Sequence, residues 1–201
     1  MVDGDGELID GDLILYIIAL ARRADGRLNG GVAGTLMSNL GLEQALAQHN
    51  IAFKRASVGD RYVMNLLQQQ GWELGGETSG HIICLDKNTT GDGIIAALEV
   101  LTVMRQSGKP LAQLKIGMTV YPQTLINVRM NRRIDVSASS QLKAAISEVE
   151  RELSANGRVV LRASGTEPVV RVMVEGRDAG QIERLGRHLA ETVQRVADTG
   201  S

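Results

Sequence analysis

Apolar positions run almost unbroken from Leu13 to Arg23, a pattern that predicts a helix buried on nearly every side, with Asp12 as its cap and "ADG" as its end. "GGVAGTLMS" then reads as a strand. "LGLEQALAQHN" reads as a short helix with Leu42, Ala45 and Leu46 on one face. "IAFKRAS" is a second strand. "GDRYVMNLLQQQG" is a helix capped by Asp60 and closed by Gly71. "WELGGE" and "HIICLD" form two strands around the turn "TSG". Asp92 caps the next helix, "IIAALEVLTVMRQSG", and Pro110 starts a short helical connector that reaches about Gly117.

The rhythm changes near Pro122. "TLINVRM" alternates like a half-buried strand, whereas Leu142, Ile146, Val149 and Leu153 recur at helical spacing up to "NG". "RVVLR" and "VVRVMVE" are strands around the turn "ASGTEP". Ile182, Leu185, Leu189, Val193 and Val196 form a final helical stripe behind a capping-box-like pair, Asp178 and Gln181. The fold class is therefore α/β: a layered α/β domain, then a small α+β domain of order β-α-β-β-α, divided between residues 117 and 123. There is no internal repeat.

Composition narrows the function classes. At 201 residues and 43% hydrophobic, the chain can bury a real core. A net charge of -1 gives no general reason to bind nucleic acid, and 2% aromatics leaves no platform for stacked bases. "LILYIIALA" falls far short of the ~20 residues of a bilayer span, and no basic segment precedes it as in a signal peptide. The lone Cys84 sits in the apolar run "HIICL", reads as a buried strand residue and fits a reducing cytoplasm.

Candidate chemistry gathers in three stretches. In "RASGTEPVVR", Arg162 and Arg171 flank a turn holding Ser164, Gly165 and Thr166. Forked guanidinium groups, hydroxyls and close backbone N–H groups suit a phosphate dianion. The same residues also fit a hairpin with surface ion pairs. Glu167 would repel phosphate, so it is expected to orient an arginine or a backbone group. In "GGETSGH", Glu77 can accept from two sugar hydroxyls, Ser79 can assist, and His81 is a candidate acid/base group; an ordinary polar turn is the alternative. In "SVGDRYV", Arg61 falls in the first turn of a helix, where the macrodipole disfavours a cation unless an anion lies beside it.

No metal site is expected. His49, His81 and His188 lack ligand spacing. The acidic opening "DGDGELIDGD" fails as an EF-hand: counted from Asp3, the required Gly falls on Leu8 and the final Glu on Ile14.

Taken together, "GETSGH", "TTGDG" and "RASGTEPVVRVMVEG" resemble the α-D-phosphohexomutase superfamily, and "VAGTLMSNLGLE" and "ASVGDRYV" point within it to the bacterial phosphoglucosamine mutases. The resemblance covers nearly the whole chain. It implies interconversion of glucosamine 6-phosphate and glucosamine 1-phosphate for UDP-N-acetylglucosamine and cell-wall synthesis. Such enzymes have four domains, with a phosphoserine loop in the first and a Mg²⁺-holding D-G-D-G-D-R loop in the second. The resemblance makes residues 1–11 a remnant of the metal-loop domain, 12–120 the third domain, and 121–201 the TBP-like fourth. It assigns Glu77 and Ser79 to sugar hydroxyls, and Arg162, Ser164, Gly165, Thr166 and Arg171 to the non-reacting phosphate. His81 and Arg61 would line the cleft. The phosphoserine and Mg²⁺ ligands have no counterpart here, so the chain is expected to be inactive alone. Its implied partners are a phosphorylated hexosamine and the missing N-terminal half, with no nucleic acid and no membrane. The competing readings are a non-catalytic phosphosugar-binding module and a mutase fragment with another hexose preference.

Overall fold

A computed structural model describes residues 1–130, 139–164 and 167–199. The chain divides into two compact units, Met1–Val120 and Tyr121–Ser201. In the first, α1 (Gly11–Ala24), β1 (Val32–Thr35), α2 (Leu40–Gln48), β2 (Phe53–Ala56), α3 (Asp60–Gln70), β3 (Leu74–Gly76), β4 (Ile82–Cys84), α4 (Gly93–Ser107) and α5 (Leu111–Leu114) follow in order. The sheet order is β2-β1-β3-β4. β1 pairs parallel with β2 and β3, and β4 closes the edge antiparallel to β3.

Three of its short strands, β1, β3 and β4, are buried on both faces, whereas the edge strand β2 carries Lys54 and Arg55. Val32, Leu74, Ile82 and Cys84 join a core with α1, α2 and α4. Their neighbours Ala33 and Ile83 point the other way, onto Val63 and Leu67 of α3. Each large aliphatic side chain so buried contributes about 1.5–3 kcal/mol. α1 lies innermost, with every residue from Leu13 to Ala19 buried. Its one deep cation, Arg22, pairs with Asp86 and Glu99 at 3.0 Å each and so joins α1 to the loop after β4 and to α4.

Local chemistry departs from the sequence reading in four places. α1 is capped by Asp10, whose side chain accepts from the Leu13 N–H, and not by Asp12, which lies inside the first turn. At α3 the cap position is Gly59 and carries no side-chain cap; among the described residues the Asp60 carboxylate accepts from the adjacent Arg61 N–H. β1 ends at Thr35, earlier than "GGVAGTLMS" suggests, because the Ser38 hydroxyl accepts from the Thr35 N–H and turns the chain. Asp178 caps the last helix by accepting from the Gln181 N–H, but the Gln181 amide turns to Glu152 and does not complete a capping box.

The second unit runs β5 (Gln123–Arg129), α6 (Ser140–Leu153), a 3-10 turn (Ser154–Asn156), β6 (Gly157–Ala163), β7 (Val169–Gly176) and α7 (Ala179–Thr199). Its sheet is antiparallel in the order β5-β7-β6. Val170, Val172 and Val174 of the central strand pack on α6 and α7 in one core. The intervening residues, Arg171, Met173 and Glu175, point from the opposite face.

Candidate functional site

In the first unit, loops from the carboxyl ends of three strands meet, the place where open α/β sheets hold ligands. The loop after β1 is braced by Arg55, whose guanidinium donates to the Thr35 carbonyl at 3.0 Å and the Ser38 carbonyl at 2.6 Å and pairs with Glu43 at 2.9 Å. The loop after β2 leads to Gly59, held at φ 126°, a conformation that favours glycine. The Gly59 N–H donates to Glu77 Oε1 at 2.9 Å, so the carboxylate beside the start of α3 is the protein's own. Arg61, next along, is exposed and stacked on the Tyr62 ring at 5.0 Å, with a hydrogen bond to the Tyr62 hydroxyl.

The turn after β3 carries the remaining candidates. The Glu77 N–H donates to the His81 carbonyl at 3.0 Å and the Gly80 N–H to the Glu77 carbonyl at 2.9 Å. Ser79 Oγ and His81 Nδ1 lie 3.5 Å apart, both exposed. Glu77, Ser79 and His81 are therefore held on one tight hairpin.

Sequence reasoning passed over what fixes that hairpin. The Thr78 hydroxyl donates to Asp12 Oδ2 at 2.8 Å, and the Asn39 N–H donates to the same oxygen at 2.8 Å. The Thr78 carbonyl accepts from the Gly11 N–H at 2.9 Å. Gly11 itself presses on the turn so closely that a Cβ would lie 1.9 Å from the Glu77 carbonyl oxygen. Asp12 is fully buried, and burial pushes its carboxyl up to about 6 despite those two donors. The available signal was a carboxylate inside an otherwise apolar helix.

The second gathering is on the β6–β7 hairpin. Arg162 lies directly opposite Arg171, with Asn127 of β5 on the other side of Arg171. Directly opposed like charges destabilise a sheet, yet neither arginine has an ion pair or side-chain hydrogen bond among the described residues. The contrast lies two rungs away on the same face: buried Glu175 accepts from Arg158 at 2.5 Å and from Gln123 at 2.8 Å. At the tip, the Ser164 N–H donates to the Val169 carbonyl at 2.7 Å, and the Ser164 hydroxyl accepts from the Glu167 N–H at 3.3 Å. The Glu167 side chain is exposed, with no partner among the described residues. Gly165 and Thr166 lie outside the described residues.

Residues 10–121 match the phosphoglucomutase/phosphomannomutase α/β/α domain III, and residues 125–192 match the C-terminal domain of the same group. The chain belongs to the phosphoglucomutase/phosphomannomutase family. Among its mutase relatives, the phosphoglucosamine mutase of Thioalkalivibrio sulfidiphilus is 55% identical over 98% of this chain. That of Nitrosococcus oceani is 56% identical over 96% of it. The chain spans only 45% and 43% of those two proteins, respectively. A solved structure of Aspergillus fumigatus N-acetylphosphoglucosamine mutase, in complex with GlcNAc-6P and magnesium, superposes with a TM-score of 0.81 at 21% identity. The match covers 98% of this chain and 46% of that one.

The residues present do not fit the Mg²⁺ that this mutase family implies. Asp3 Oδ1 accepts from the Asp5 and Glu7 N–H groups, and its Oδ2 pairs with Lys115 at 2.7 Å; Glu7 pairs with the same lysine. Among the described residues, no group of three or more His, Cys, Asp or Glu could hold a metal ion. Nor is any described helix long and apolar enough to cross a membrane.

Proposed function

We propose that this chain forms the sugar- and phosphate-holding part of a phosphoglucosamine mutase, acting on glucosamine 6-phosphate and glucosamine 1-phosphate. The observation that carries the reading is the opposed pair Arg162 and Arg171, two cations that no described carboxylate neutralises. A phosphate dianion supplies the missing charge, and its oxygens accept from both forks. Ser164 lies at the same tip, and Gly165 and Thr166 follow it in the turn sequence as further candidate donors. Glu77 and Ser79 orient the hexosamine ring through its hydroxyls. His81 is the candidate proton carrier near neutral pH. Arg61 is a further candidate anion contact.

The identity to phosphoglucosamine mutases supports glucosamine over other hexoses. Mg²⁺ and the phosphoryl donor belong, on this reading, to a segment outside these 201 residues, such as the part of the relatives that this chain does not cover. A single cysteine, Cys84, allows no intrachain disulfide, which supports a reducing cytoplasmic setting.

The test is a titration of the ¹⁵N-labelled chain with glucosamine 6-phosphate. Chemical shifts are expected to change at both Glu77 and Arg162. Silence at both residues would overturn the reading, whereas change at Arg162 alone would reduce it to a phosphate-binding module.

A further inference from the structure

Strand β5 carries an arginine that the motif-based assignment leaves out. Arg129 sits two residues beyond Asn127, so both point from the same sheet face. Asn127 is opposite Arg171, and Arg171 is opposite Arg162. Arg129 is therefore on the face that carries both arginines, one rung closer to the hairpin tip, and opposite Val169. Diagonal neighbours of this kind have Cα atoms about 7–8 Å apart, within reach of arginine side chains.

Arg129 is exposed and has no ion pair or hydrogen bond from its side chain among the described residues. Its strand is fastened to the tip, because the Met130 N–H donates to the Pro168 carbonyl at 2.8 Å. Together with Glu167 and Pro168 it lines a cavity of about 390 Å³. Three guanidinium groups thus share one end of one sheet face, and Glu167 is the carboxylate that lines the cavity beside Arg129. A phosphate monoester near neutral pH carries close to two negative charges. With Glu167 it balances three arginines; without Arg129 the bound site would hold an excess negative charge. Glu167, which would otherwise repel the ligand, has a place here as the carboxylate beside Arg129.

We propose that Arg129 is a third guanidinium contact of the phosphate site, reaching the ligand from the strand next to the hairpin. This rests on the reading of Arg162 and Arg171 as the phosphate anchor. Arg129 adds charge and one more directional fork, and it sets the affinity for the dianion over the monoanion.

The experiment is calorimetric titration of the 201-residue chain with inorganic phosphate and with glucosamine 6-phosphate. It compares Arg129→Ala, Arg129→Lys, Arg162→Ala and a distant exposed control, Arg151→Ala, each first checked for a native amide spectrum. Arg129→Ala is expected to weaken both ligands about three- to tenfold, the size of one exposed charge-assisted contact. Arg129→Lys is expected to restore part of that loss, and the slope of log affinity against log salt is expected to fall in Arg129→Ala. If Arg162→Ala weakens binding while Arg129→Ala stays within about twofold of the parent, or falls no further than Arg151→Ala, the third contact is refuted and the anchor stands. If Arg162→Ala binds like the parent, the anchor is refuted, and the third contact with it.

Discussion

Asp12 shows how two roles of one residue type look alike in sequence. An aspartate just ahead of an apolar helix has the look of an N-cap, and Asp10 and Asp12 both qualify. The backbone gives the cap to Asp10 and turns Asp12 inward, where it collects the Asn39 N–H and the Thr78 hydroxyl. The choice depends on residues 27 and 66 positions away, so no local pattern reveals it. A measurable consequence follows from the ionisation. The carboxyl rises from 3.8 to about 6 on folding, worth about 3 kcal/mol. Because the folded value is raised, the stabilisation is present below pH 4 and is lost as pH climbs through 6. Denaturant unfolding of the parent chain and Asp12→Asn should therefore show a stability difference that shifts by up to about 3 kcal/mol across that window, the parent losing ground as pH rises. A difference independent of pH would mean that Asp12 does not ionise there.

At the scale of elements, periodicity carried far. The stripes of α6 and α7 and the alternation of β5 are visible because each element is half buried, so its two sides differ in polarity. The end of β1 is hidden in the pattern because apolar residues continue past it, while the turn is made by one serine hydroxyl. The hairpin of β6 and β7 was legible from its turn residues. The register that sets Arg162 against Arg171 was not, since a shift of one residue would send the two side chains to opposite faces. The same holds for Arg129, whose strand lies more than thirty residues upstream of its neighbours. The contact of α1 with the β3–β4 turn likewise appears only in three dimensions. Gly11→Ala would drive a methyl into the Glu77 carbonyl and should cost about 1–3 kcal/mol, with the Glu77 and Gly80 amide resonances displaced. An unchanged spectrum at those two amides would show that the turn accommodates the methyl elsewhere.

At the scale of the whole molecule, the two hydrophobic layers of the first unit draw only on residues before Val120, and the core of the second only on residues after Tyr121. Each unit thus has its own apolar interior and its own gathering of candidate binding groups. The chemistry of phosphoryl transfer asks for more: a donor in line with phosphorus and charge neutralisation on its oxygens. The 201-residue chain assayed with glucosamine 6-phosphate and Mg²⁺ is expected to give no turnover above background, and the same chain mixed with the N-terminal half of a relative is expected to gain it. Turnover by the chain alone would overturn this division of labour.

Lys115 stands near the end of the first unit's connector. It grips Asp3 and Glu7, so the opening hairpin of the first unit and the connector that ends it touch. A fold whose incoming and outgoing strings are knotted at one spot behaves like a bead with a single eyelet. Such a bead can be threaded into a longer polypeptide, or duplicated within one, without the flanking string having to cross its surface.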